Sequence, residues 1–256
     1  KIMIIANFKS NVINFDKWFD DFENLCSPVE FNFDESDLDL GIEHWPEVGI
    51  APPSIYITEY STPKLAIGAQ DVDHSSGSRT GAISIEMLDD VGVEFVIIGH
   101  SERREFFHED NDLIRKKIEA VNESKIGSII LCIGETKEEN KMGATKDVLK
   151  NQLSVINGFE LGKNFTIAYE PVWAIGSGQT PEPKDINEIH KYIKDVVQSV
   201  SVNNHVPEVV YGGSVTDKNA ESFFKEEFVD GALVGGASLN GTTFANIVNI
   251  WRENII

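Results

Sequence analysis

The sequence predicts an α/β fold, a single-domain (β/α)8 TIM barrel of eight parallel strands with surrounding helices, and three observations lead there. Eight short apolar runs recur along the 256 residues, at 3–6, 48–51, 65–69, 95–99, 128–133, 165–169, 208–211 and 231–234. Each is too uniformly apolar to have one wet face, as a parallel sheet covered on both sides requires. Between the runs lie stretches with the three- and four-residue apolar spacing of amphipathic helices, and strand followed by helix, repeated, is the layout of a barrel.

In order along the chain, the opening Lys1-Ile2-Met3-Ile4-Ile5-Ala6 is too short an apolar run for a secretory leader and reads as the first buried strand. Phe15, Trp18, Phe19, Phe22 and Leu25 then fall on one helical stripe. Residues 30–44 carry Glu30, Asp34, Glu35, Asp37, Asp39 and Glu43 with no Lys or Arg. This segment lacks the glycine and the twelfth-position acid of a calcium-binding loop and reads as a solvated acidic insertion, a cation or partner site being the alternative. Further helical patterns cover 113–124, 146–156, 184–200 and 244–251. No linker or low-complexity run interrupts them, so one domain over residues 1–256 is expected.

Composition narrows the function. A net charge of −20 opposes binding to nucleic acid or anionic membranes. No run approaches the ~20 apolar residues of a membrane span. Cys26 and Cys132 offer neither a disulfide framework nor metal-ligand spacing and read as buried thiols, with a cytoplasmic location as the default. An anionic substrate would be repelled by the global charge, so any attraction must come from donors within a Debye length, roughly 8 Å.

Barrel sites gather where the strand-to-helix loops converge, so the informative residues should follow each strand. Asn7 and Lys9 follow the first, His100 the fourth, Glu170 the sixth, Gly212 to Ser214 the seventh, and Gly235 and Gly236 the eighth. A glutamate at a strand end can simply cap a helix or pair with an arginine. Glu170 differs because stiff Pro171-Val172-Trp173, then small Ala174-Ile175-Gly176-Ser177-Gly178, then stiff Gln179-Thr180-Pro181 follow it, the pattern of a short lid that excludes water.

His44, His74, His108, His190 and His205 read as surface or structural residues. His100 follows a strand and precedes residues able to start a helix, whose positive end keeps the ring neutral and able to donate to a developing oxyanion. Lys9, at the barrel mouth, is a candidate for anion binding. The two glycine pairs allow backbone N–H groups to approach a phosphate, although tight turns use glycines too.

Taken together, NFK, GHSERR, AYEPVWAIGSG, YGGSV and LVGGASL, in that order and at barrel spacing, resemble the triosephosphate isomerase family along essentially the whole chain. The resemblance implies a step of glycolysis and gluconeogenesis, the interconversion of dihydroxyacetone phosphate and D-glyceraldehyde 3-phosphate, with no metal or organic cofactor. It implies Glu170 as proton shuttle, His100 as electrophile and Lys9 as electrostatic stabiliser. Asn7, Gly176, Ser214, Gly235 and Gly236 join Lys9 in holding substrate, while Glu102 and Ser101 support the network. It also implies a homodimer in which Thr80 reaches toward the neighbour's pocket. The alternatives are another phosphosugar isomerase and a non-catalytic phosphometabolite-binding barrel. The chain departs from the family's pattern at Ala82, where an acid commonly pairs with an arginine of GHSERR across the interface, and at Asp71 and Arg79, where asparagine and an aromatic are common.

Overall fold

A computed structural model describes residues 1–28, 45–175 and 180–255; the acidic insertion, His44 and Gly176 lie outside the described residues. Eight strands close a parallel barrel in chain order: β1 (Ile4–Asn7), β2 (Trp45–Ala51), β3 (Leu65–Ala69), β4 (Phe95–Ile98), β5 (Ser128–Ile133), β6 (Phe165–Tyr169), β7 (Glu208–Tyr211) and β8 (Gly231–Val234). Ile4 of β1 pairs with Val48 on one side and Ala232 on the other, which closes the ring. Closure leaves no unpaired sheet edge, and the strands read as continuous apolar runs because both faces are covered.

The helices are α1 (Phe15–Glu23), α2 (Ile85–Asp90), α3 (Ser101–Phe106), α4 (Asn111–Asn122), α5 (Lys137–Lys141), α6 (Thr145–Leu153), α7 (Pro183–Val200), α8 (Ala220–Phe224) and α9 (Gly241–Asn254). Their starts are chemically marked. Asn14 caps α1 by accepting from the Lys17 N–H, Thr136 and Glu139 form a capping box on α5, and Pro183 opens α7 where a missing N–H costs nothing. Trp18 and Phe22 of α1 stack at 5.5 Å and meet Phe244 of α9. The two helices approach so closely that a Cβ on Gly241 would lie 2.1 Å from the Trp18 carbonyl oxygen. Large and small also alternate in the barrel wall, where the Phe95 ring covers both Gly49 and Gly68 and a Cβ on Gly68 would lie 2.1 Å from it.

Most of the expected elements stand within a residue or two, and the differences have local causes. β1 begins at Ile4, so Asn7 is its last residue and not part of the following loop. β4 stops at Ile98 because Gly99 takes φ +74°, outside the extended region. The pattern at 146–156 divides into α6 and a 3₁₀ turn at Ser154–Ile156. The apolar stripe of α1 ends at Phe22: Leu25 is half exposed, and Cys26 turns inward in its place.

His190 on α7 is fully buried, with Nδ1 3.0 Å from the Phe228 carbonyl and the ring edge-on to Tyr169. Among the described residues Nε2 has no partner. Burial disfavours the imidazolium and brings its pKa from 6.5 to about 3. The unfolded chain therefore binds this proton first as the pH falls. Stability is complete above about pH 6.5 and is lost progressively from there towards pH 3, at up to ~1.4 kcal/mol per pH unit. His190→Asn, which keeps a donor near the Nδ1 position, is expected to lower stability at pH 7 and to flatten the acid-side slope in urea titrations; an unchanged slope would exclude His190 as its source.

Candidate active site

The carboxyl ends of β1, β4, β6, β7 and β8 converge on one cavity of about 240 Å³ whose lining includes Asn7, Lys9, His100, Glu170, Ser214, Gly235 and Gly236. Seven of the eight residues expected to hold or transform substrate thus meet at one place; the eighth, Gly176, lies outside the described residues. Ser101 and Glu102 do not line the cavity but bond to residues that do.

Glu170 follows β6 directly and is only 1% exposed. Two glycines admit it: a Cβ on Gly134 would lie 1.7 Å from the Glu170 carbonyl oxygen, and one on Gly212 2.8 Å from its Cγ. Oε2 accepts from the Ser101 N–H at 2.9 Å, and Oε1 lies 2.9 Å from His100 Nε2. Burial alone raises a carboxyl pKa, but His100, the Ser101 N–H and the Lys9 charge outweigh it and the net shift is downward. The group is held as a carboxylate, the form that can accept a proton.

His100 caps α3, and its Nδ1 accepts from the Glu102 N–H at 3.2 Å. A nitrogen that accepts cannot carry the proton, so the geometry places the hydrogen on Nε2, which donates into the cavity. Burial disfavours the imidazolium, while the Glu170 carboxylate favours it more strongly and leaves the net shift upward. That upward pull depends on Glu170 remaining 2.9 Å away; without it, burial and the amide at Nδ1 both favour the neutral ring.

Lys9 adopts φ +49°, a left-handed conformation costing a non-glycine residue on the order of 1–3 kcal/mol. Its N–H donates to Asn7 Oδ1 at 3.0 Å, and its Nζ bonds Glu102 Oε1 at 2.5 Å. Its stem crosses Gly235, where a Cβ would lie 3.3 Å from Lys9 Cε. The wall beside Lys9 is backbone. The N–H groups of Ser214, Gly235 and Gly236 have no hydrogen-bond partner among the described residues, and the Gly236–Leu239 3₁₀ turn starts at that point. This set suits an oxyanion.

With this geometry in view, the chain matches the family model described as Triosephosphate isomerase over residues 2–251. The chain belongs to the triosephosphate isomerase family. It is similar to the triosephosphate isomerase of Proteus mirabilis, 43% identical over 217 residues that cover 81% of this chain and 84% of the relative. Against that of Histophilus somni the identity is 44% over 212 residues, covering 79% and 82%, and against that of Erwinia tasmaniensis 42% over 210 residues, covering 78% and 82%.

The three departures from the triosephosphate isomerase pattern have visible consequences. Arg103 of the GHSERR segment is bonded within its own chain, to Asp71 Oδ2 at 2.7 Å and to Glu109 Oε1 at 2.7 Å. Buried Lys117 joins the same two acids at 2.6 Å each. Arg79 donates to Asp73 Oδ2 at 2.8 Å and so closes the exposed loop that carries Thr80. Ala82 thus removes a carboxylate from a chain in which Asp71 supplies one to Arg103.

Two residues central to the site escaped sequence reasoning, Gln70 after β3 and Glu135 after β5. Glu135 accepts from Tyr169 Oη at 3.0 Å and Trp173 Nε1 at 2.8 Å, one on either side of Glu170. The rule that informative residues follow strands, applied to the third and fifth strands, points to both. Gly212→Ala is expected to displace the Glu170 side chain and to destabilise the fold by about 1–3 kcal/mol, from the overpacking of a filled site. A structure of the variant with the Glu170 to Ser101 bond intact and an unshifted denaturation midpoint would contradict this.

Proposed function

We propose that this chain interconverts dihydroxyacetone phosphate and D-glyceraldehyde 3-phosphate through an enediolate, acting as one barrel domain over residues 1–256. The observation that carries the reading is the convergence of an ionised, desolvated carboxylate, an imidazole whose Nε2–H donates into the site and a lysine on one cavity whose backbone N–H groups at Ser214, Gly235 and Gly236 have no partner among the described residues. Membership of the family supplies the substrate class.

Glu170 takes the proton from the carbon beside the carbonyl and returns it to the neighbouring carbon. It must first leave His100 and the Ser101 N–H, and that departure frees His100 Nε2–H for the substrate oxygen. His100, then neutral, stabilises the enediolate as a donor, and Lys9 adds positive charge on the same side. Ser214, Gly235 and Gly236 hold the phosphate through N–H groups at a distance from the reacting carbons, so that binding energy fixes the orientation of the substrate. These donors act within a few ångströms, which reconciles an anionic substrate with a chain of net charge −20. Asn7 holds Lys9, while Glu102 and Ser101 support the charged pair. A phosphate-binding module without chemistry has no use for a buried carboxylate facing a histidine donor.

We also place the chain in the cytoplasm and read it as a homodimer. Phe106 and Phe107 stand 65% and 63% exposed beside a groove of about 440 Å³ that opens next to Asn7, Lys9 and Gln70, and the loop carrying Thr80 projects into solvent. Since Arg103 is neutralised within its own chain, the interface gains less from charge and more from these apolar contacts.

A coupled assay of glyceraldehyde 3-phosphate turnover tests the chemistry: Glu170→Asp and His100→Gln are each expected to lower kcat/KM at least ~10²-fold. Unchanged rates in either variant would remove that residue from the mechanism, and an inactive parent chain would remove the reaction. Light scattering across a dilution series is expected to give twice the chain mass, with little dependence on salt; a monomer at micromolar concentration would exclude the dimer.

A further inference from the structure

Lys9 is held in an unfavourable backbone conformation, and the partners that hold it there are countable. Its N–H is taken by Asn7 Oδ1 and its ammonium by Glu102. Its carbonyl accepts from Gln70 Nε2 at 2.8 Å, and the same amide donates to the Ala51 carbonyl at 2.8 Å. Gln70 follows β3, Ala51 ends β2 and Lys9 lies just beyond β1. One side-chain amide therefore ties together the rims of three consecutive strands.

The Ala51 carbonyl is also where the chain before Lys9 is registered, since it accepts the Phe8 N–H at 3.1 Å. Both hydrogens of the Gln70 amide are used on carbonyls, and neither is directed at the cavity that holds Glu170. Gln70 is absent from the lining of that cavity.

We propose that Gln70 is a positioning residue: it keeps Lys9 in its left-handed conformation and thereby places the ammonium beside His100. The inference rests on the reading of Lys9 as the electrostatic stabiliser. A residue in a sparsely populated backbone region persists only when its surroundings over-determine it, and here the carbonyl side has a single side-chain donor among the described residues. Removing that donor lets residue 9 relax towards the common regions, which carries Nζ away from the substrate while the barrel remains closed by its own ladder.

A double-mutant cycle separates this role from a merely structural one. Gln70→Glu keeps the shape but replaces the donor with a carboxylate, and Gln70→Met removes the donor without adding charge. In the parent chain each is expected to lower kcat/KM for glyceraldehyde 3-phosphate about 10- to 100-fold. In a Lys9→Met background, where the ammonium is already gone, the same changes are expected to cost less than about threefold. If Gln70→Glu fails to fold, Gln70→Met carries the cycle, and thermal melts on every variant confirm that the compared species are folded. Equal losses in the two backgrounds, or no loss in the parent chain, overturn the inference. If Lys9→Met itself leaves the rate unchanged, the reading of Lys9 fails, and that outcome is distinct from a failure of Gln70 to couple to it.

Discussion

A carboxylate with almost no exposure to water is the constraint around which the site is built. An isolated charge at such depth is costly unless it is paired and hydrogen-bonded, and Glu170 is both, through the Ser101 N–H, His100 and the nearby Lys9. Each partner is positioned in turn. The Ser101 N–H exists as a free donor because α3 begins there, and His100 holds its ring against that same helix start. Glycine at 134 and 212 is dictated by volume, since any side chain would occupy the space the glutamate needs.

Outside the cavity, charge is arranged with the same economy. Among the described residues Arg103, Lys117, Asp71 and Glu109 form a compact four-membered group joining the end of β3 to α3 and α4. Two cations meet two acids, although Glu109 Oε2 is buried without a hydrogen-bond partner among the described residues. It also anchors the helix whose first turn serves His100 and Glu170.

Much of this was legible in the sequence, and the reason differs from element to element. The strands were visible because burial on both faces leaves no polar alternation, and Lys9, His100 and Glu170 were visible because barrel geometry assigns meaning to the position after a strand. Gln70 occupies such a position too, yet glutamine has no titratable chemistry to draw attention to it, and its function depends on a carbonyl 61 residues away. The end of α1 was misjudged by two residues because Leu25 fits the helical period, while the chain leaves the helix at Glu23 and buries Cys26 instead. The left-handed backbone of Lys9 has no sequence signal, since lysine is not a residue that favours it.

Glu135 offers a last consequence. Its carboxylate grips Tyr169 before Glu170 and Trp173 after it, and its carbonyl takes the Val172 N–H at 3.1 Å. Both flanks of Glu170 are thereby tied to the chain just after β5, and the Glu170 N–H itself donates to the Ile133 carbonyl at the end of that strand at 2.8 Å. Glu135 does not itself line the cavity, so the aim of Glu170 is set from behind the site. A substitution at Glu135 would therefore shift the Glu170 carboxylate without removing any group that lines the cavity.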